Sequence, residues 1–196
     1  MSVLQPIVDS LAAVQSADGV ILAQPFLATC RLILPVLDKL GVAFSAAKSD
    51  VGGNIERLAK KASEHVGLFD IALEEVEAGC HASNTGCCKG MLWLKRFLEF
   101  TMMLLAETYA APRSKTLKEA ANLSYEKCLK PFHGFFASSA FTVLLQFPPG
   151  RDAFVASLGG EGAYQGMQEV VAGFKPTLDK IHQFLEENSL NHPTKV

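Results

Sequence analysis

Asp50, Asn54 and Arg57, within the stretch KSDVGGNIERL, stand at i, i+4 and i+7, a spacing that puts side chains on one face of a helix. An acid, an amide and a guanidinium in one stripe supply both acceptors and donors, a set suited to hydrogen-bonding a neutral polar ligand. Between them lie Gly52 and Gly53. Each costs roughly 1 kcal/mol relative to alanine inside a helix, and each lets a neighbour approach the backbone closely. Two arrangements account for that cost: a ligand or covering element beside the stripe, or a solvated face with a second helix crossing over the glycines. Ser49 is the expected N-cap, and Val51, Ile55 and Leu58 form the apolar side of the same helix.

Two further residues have chemistry that packing alone does not require. Trp93, in GMLWLKRFLEF, is the one tryptophan of the chain. In an apolar helix it is a core residue, or its flat face stacks on a sugar ring. His133, in CLKPFHGFF, is flanked by aromatics at the start of an uncharged helix. It is a satisfied core or cap residue or, with a carboxylate nearby, half of a pair that grips an amide and a hydroxyl. Hydrolase and nucleotide motifs such as G-x-S-x-G, H-E-x-x-H and the P-loop do not occur. Cys80, His81, Cys87 and Cys88 cluster in CHASNTGCCK, but a structural zinc site needs a second, distant ligand pair. No metal or cofactor is expected. Five cysteines without a disulfide framework suit a reducing compartment.

The elements that must position these residues read as successive helices with Gly, Pro and Ser/Asn/Thr between them. The first spans about Val3 to Val14. PFLATCRLILPVLDKLG gives a second from Pro25 to Leu40, with Pro35 expected to kink it. The Asp50 helix runs to about His65, and LFDIALEEVEAG follows. CKGMLWLKRFLEFTMMLLAETYA is long and apolar on most sides, hence central. SKTLKEAANLSYEKCL, FHGFFASSAFTVLLQF and PPGRDAFVASLGG come next. A last helix is lined by Val170, Phe174, Leu178, Ile181 and Leu185. The fold class is all-α, a packed bundle or two-layer helical sandwich, in one domain over residues 1–196.

Composition narrows the partners. The formal charge of −2 offers no basic footprint for nucleic acid. Apolar residues make up 49% of the chain, 13 of them Phe, and charged residues only 19%, more oil than an ordinary domain needs. The surplus points to an apolar ligand or partner. Pro131 to Gly150 carries no formal charge, but its polar residues and terminal prolines leave it short of a membrane span. The N-terminus lacks the positive n-region of a signal peptide and carries Asp9, so the protein is expected in the cytosol.

KSDVGGNIERL, MLWLKRFLEF and CLKPFHGFFASSAF, in that order and preceded by PFLATCRLILPVLDKLG, resemble the glycolipid transfer protein family, from about Pro25 to Phe154. The resemblance implies a two-layer sandwich of about eight helices that holds one sphingolipid and performs no chemistry. It implies that Asp50 and Asn54 bind the headgroup, with Arg57 where the family has lysine, and that Trp93 stacks on the first sugar. His133 and Asp50 then fix the ceramide amide and hydroxyl. Lys89, one turn before Trp93, stands where glycolipid binders have an apolar residue and phosphate-binding relatives an arginine. Lys89 is therefore a candidate headgroup residue with two expected positions: reaching into the site as a point charge, or facing solvent as charged helix residues usually do. Phe135 stands where animal members have Trp, and the tail LNHPTKV lacks their tyrosine.

The expected function is therefore transfer of a glucosyl- or galactosylceramide by a monomer that touches a membrane surface transiently. Phe135 and Phe136 would make that contact, and Ile33, Leu37, Phe141, Phe147 and Phe154 would line an apolar tunnel. Each methylene exposed to water costs about 0.8 kcal/mol, so the ceramide chains must be enclosed. Three alternatives are a ceramide-1-phosphate carrier of the same fold, a helical adaptor whose groove binds a partner helix, and a lipid-modifying enzyme with His133 as base.

Overall fold

Helical spacing of apolar residues becomes nine α-helices in the computed structural model, which describes residues 2–110, 114–193 and 195. They are α1 (Gln5–Leu11), α2 (Ala23–Asp38), α3 (Ser45–Ala59), α4 (Leu68–Glu77), α5 (Cys87–Tyr109), α6 (Leu117–Cys128), α7 (Phe135–Leu144), α8 (Arg151–Leu158) and α9 (Ala163–Glu187). The nine correspond to the nine segments read along the sequence, one more than the roughly eight that the resemblance implies. Two isolated bridges, Gln15–Ile21 and Leu22–Gly67, occur, but no strand among the described residues.

The long apolar helix is central, as its composition requires. α5 is buried on most sides and packs against α9, α6, α3 and α4. α2 packs against α3, α1 and α4, and α1 closes onto α9, completing a two-layer helical sandwich. Phe26, Phe44, Phe100, Phe154 and Phe174 are fully buried in the core. None of the described helices is long and apolar enough to cross a membrane.

Local chemistry sets where the functional helices begin. The Glu75 carboxylate on α4 accepts the N–H groups of Cys87 and Cys88 at 2.6 and 2.8 Å, satisfying two of the free donors at the start of α5. A Cβ added at Gly86 would lie 2.8 Å from Glu75 Oε2, so a side chain there would push the capping carboxylate aside. α6 opens with a capping box: Thr116 Oγ1 accepts Glu119 N–H at 3.2 Å and the Glu119 carboxylate accepts Thr116 N–H at 2.7 Å.

Several expectations are corrected. α3 begins at Ser45, so Ser49 lies inside the helix and is not its N-cap. α2 continues through Pro35, as expected, but ends at Asp38, before Leu40. His133 precedes α7 on extended backbone instead of starting the helix. α7 itself contains no buried residue and packs only lightly on its neighbours.

Candidate functional site

Residues from α3, α5 and α7 surround a cavity of about 640 Å³. α3 contributes Asp50, Asn54 and Arg57, and α5 contributes Lys89, Trp93 and Phe97. His133 and Phe141 close the far side. A volume of that size is typical of small-molecule sites. The acid–amide–cation stripe therefore faces a void, and Trp93 and His133 face the same one.

The two glycines of α3 are not crossed by a helix: a Cβ added at Gly52 or Gly53 meets nothing within 4 Å. The crossing lies one turn along. A Cβ at Gly90 of α5 would approach the Arg57 Cδ to 3.3 Å and the Asn54 carbonyl oxygen to 3.7 Å. Gly90 thus lets α5 come close enough to α3 to bring Trp93 opposite the stripe.

Hydrogen bonding distinguishes this face of α3 from the rest of the helix. On its outer faces Lys48 pairs with Asp38 at 2.7 Å and Glu56 with Arg31 at 2.9 Å. Arg57 Nη1 donates a long 3.4 Å bond to the Gly86 carbonyl. The Asp50 carboxylate and the Asn54 amide make no hydrogen bond or ion pair among the described residues. Asn54 is only 6% exposed as a residue, and its amide opens into the cavity beside the exposed Asp50. Lys89 is half-buried on the cavity wall, not out in solvent, the first of its two expected positions.

His133 sits in an aromatic frame. Its ring is 5.7 Å from Trp93 at 27°, 5.6 Å from Tyr125 and 5.1 Å from Phe141. The Tyr125 hydroxyl lies 3.3 Å from Nδ1. Burial lowers the His133 pKa, the Asp50 carboxylate pulls it back up, and the Arg96 guanidinium lowers it further. The imidazole is thus neutral at neutral pH, with one donor and one acceptor nitrogen.

Sequence reasoning missed Arg96, Tyr125 and Phe132. Arg96 is fully buried, with its guanidinium 3.5 Å from the Phe132 ring centroid and 5.1 Å from that of Trp93. Its Nη2 donates to the His192 carbonyl at 2.6 Å and to Asn191 Oδ1 at 3.2 Å, tying the C-terminal tail beside the indole. Burial pulls its pKa down to about 10, against the pull of Glu99. The one sequence signal for Arg96 is a cation three residues after Trp93, on the same helical face.

The remaining singled-out residues are placed as follows. Of the five expected tunnel residues, Phe141 borders the cavity. Ile33, Leu37 and Phe154 are closed within the core. Phe147 is 66% exposed and does not line the cavity, a correction that follows from where α7 ends. Leu145 turns inward at the C-cap of α7, whereas Phe147 lies beyond the helix in the segment that leads to α8. Phe135 and Phe136 are 80% and 87% exposed. Cys87 and Cys88 are buried thiols, which burial and the neighbouring Glu75 carboxylate push up to about 11 and about 12. The described residues assemble possible metal ligands elsewhere, at Glu64, His65 and Glu74. There Lys61 already pairs with Glu74 at 2.9 Å.

Comparison with known proteins agrees with this geometry. The family model "Glycolipid transfer protein (GLTP)" matches residues 21–160. Glycolipid transfer protein 1 of Arabidopsis thaliana is 35% identical over 189 residues, covering 94% of this chain and 93% of its own. Human pleckstrin homology domain-containing family A member 8 is 34% identical over 175 residues, which are 83% of this chain and 33% of that longer protein. Among solved structures, that of FAPP2, which is described as selecting simple glycosphingolipids using the GLTP-fold, superposes with a TM-score of 0.90 at 27% identity over the whole of both chains. HET-C2, a fungal glycolipid transfer protein, superposes with a TM-score of 0.78 at 27% identity over 88% of this chain and 90% of its own. The mouse ceramide-1-phosphate transfer protein shares the fold at 18% identity and a TM-score of 0.86 over 96% of this chain and 98% of its own. With the match extending over most of its length, the chain belongs to the glycolipid transfer protein family.

Proposed function

We propose that this chain, acting as one domain, carries a single glycosphingolipid of the glucosyl- or galactosylceramide type between membranes. The observation that carries the reading is the exposed Asp50 carboxylate and the Asn54 amide, neither hydrogen-bonded among the described residues, facing an indole across a cavity of about 640 Å³. Sugar hydroxyls supply the missing partners for Asp50, Asn54 and Arg57, and the Trp93 face receives the ring's C–H groups. His133, neutral and beside Asp50, offers one donor and one acceptor to the ceramide amide and hydroxyl. The acyl chains run inward past Phe97 and Phe141 and displace packing in the core that includes Ile33, Leu37 and Phe154. Exposed Phe135 and Phe136 rest on the membrane during loading. The protein works as a monomer in the cytosol and makes no bonds in its cargo.

Ceramide 1-phosphate is the second reading, favoured by Lys89 on the cavity wall. Trp93 weighs against it, because an indole face gives a phosphate nothing to pair with. Transfer between vesicles of fluorescent galactosylceramide and of the corresponding ceramide phosphate tests both. Galactosylceramide is expected to move faster, and Asp50→Val to abolish its transfer while far-UV circular dichroism stays unchanged. Faster movement of the phosphate, or normal transfer by a folded Asp50→Val, contradicts the reading.

A further inference from the structure

Arg96 is fully buried and lies outside the lining of the headgroup cavity, yet three of the walls of that cavity meet at it. On α5 it stands three residues after Trp93, with its guanidinium 5.1 Å from the indole centroid. Phe132, the residue before His133, has its ring centroid 3.5 Å from the same guanidinium. From the tail, the His192 carbonyl and Asn191 Oδ1 accept its Nη2 at 2.6 and 3.2 Å, and that tail brings Lys195 to the cavity. We propose that Arg96 is the positioning residue of the headgroup site: it touches no ligand, and it fixes Trp93, His133 and the tail relative to one another so that the indole meets the sugar face-on. The proposal rests on the glycosphingolipid reading above and names what sets the geometry of its stacking wall.

The cost of burying Arg96 separates this role from ordinary packing. A guanidinium taken out of water is costly unless it is paired. Arg96 belongs to no ion pair among the described residues, and Glu99, the next acid along α5, pairs with Lys95 at 2.9 Å. Its Nε and Nη1 are shielded from solvent without a hydrogen-bond partner among the described residues. Methionine would fill similar space without that cost, and replacing buried ionic groups by apolar ones is often neutral or stabilising. An apolar side chain, however, does not tie three elements together. A planar guanidinium offers a face to aromatic rings and N–H donors around its edge. Here the face meets Phe132 and the edge meets the tail. The grip on Phe132 acts on His133 at once, because His133 leaves the short turn Lys130–Phe132 on extended backbone and sets its ring 5.7 Å from Trp93.

Trp93 is the one tryptophan of the chain, so its fluorescence reports this wall alone. Three measurements on wild type, Arg96→Met and Arg96→Lys test the proposal: the urea midpoint, the anisotropy of Trp93 emission in the lipid-free chain, and transfer of fluorescent galactosylceramide between vesicles. Arg96→Met is expected to unfold at a midpoint no lower than that of wild type. It is nonetheless expected to show lower Trp93 anisotropy and about tenfold slower transfer, the size of a desolvated cation–π contact. Arg96→Lys keeps the charge but lacks the planar fork, so it is expected to behave like Arg96→Met. Unchanged anisotropy or wild-type transfer in Arg96→Met overturns the proposal, and so does full rescue by lysine, which would make charge alone sufficient. Slower transfer accompanied by a fallen midpoint assigns Arg96 to packing and overturns it as well. In each of these cases galactosylceramide transfer by wild type still supports the carrier function, whereas its failure in wild type overturns both.

Discussion

Asp50 and Asn54 are the residues whose bonds α3 leaves open, while Lys48 and Glu56 on the same helix are already paired. Their placement was readable from spacing, because i, i+4 and i+7 need only a helix. Arg96 and Tyr125 were not readable, since their meaning depends on which ring or tail folding brings beside them. His133 gives a prediction at this scale. Its pKa is lowered in the folded protein, mainly by burial, so the unfolded chain binds a proton that the native state resists. The contribution of neutral His133 to stability is fully present above the ordinary imidazole value. It is lost as pH falls through that value toward the lowered one. Denaturant midpoints from pH 8 to about 5 are expected to fall less steeply in His133→Gln than in wild type; identical slopes would place the titration elsewhere.

At the scale of elements, two helices matter most. α5 carries Lys89, Trp93 and Arg96, and its start is held by the Glu75 carboxylate. Glu75→Ala is expected to destabilise the protein by roughly 1–2 kcal/mol, as for loss of an N-cap, and Glu75→Gln by less, because one acceptor oxygen remains. Chemical denaturation of both variants checks the order. This cap was illegible in sequence: Glu75 bonds to Cys87 and Cys88 across a loop, with no local spacing rule to reveal it. The capping box Thr116–Glu119 is local and could have been read. α7 is the opposite case, apolar in composition yet without a buried residue. Phe135→Ala is expected to weaken partitioning onto vesicles while shifting stability by no more than about 0.5 kcal/mol. A core residue would cost about 3–5 kcal/mol, so a large fall in melting temperature contradicts membrane contact by this ring.

For the whole molecule, the all-helical sandwich was legible because long helices announce themselves through apolar periodicity, and α5 was recognisably central from being long and apolar on most sides. Less legible was where the surplus of apolar residues would go. Ile33, Leu37 and Phe154 are packed into the core and Phe147 lies on the surface, so periodicity separates buried from exposed faces but does not tell lining from filling. The central claim is that the cavity between α3, α5 and α7 holds the headgroup of one glycosphingolipid. Native mass spectrometry tests it most directly, on wild type and Asp50→Val after incubation with vesicles containing galactosylceramide, ceramide phosphate and phosphatidylcholine. The account predicts one galactosylceramide per wild-type chain and none on an equally helical Asp50→Val. A wild-type chain that emerges without lipid or with ceramide phosphate in preference, or a variant that keeps galactosylceramide as wild type does, would contradict it.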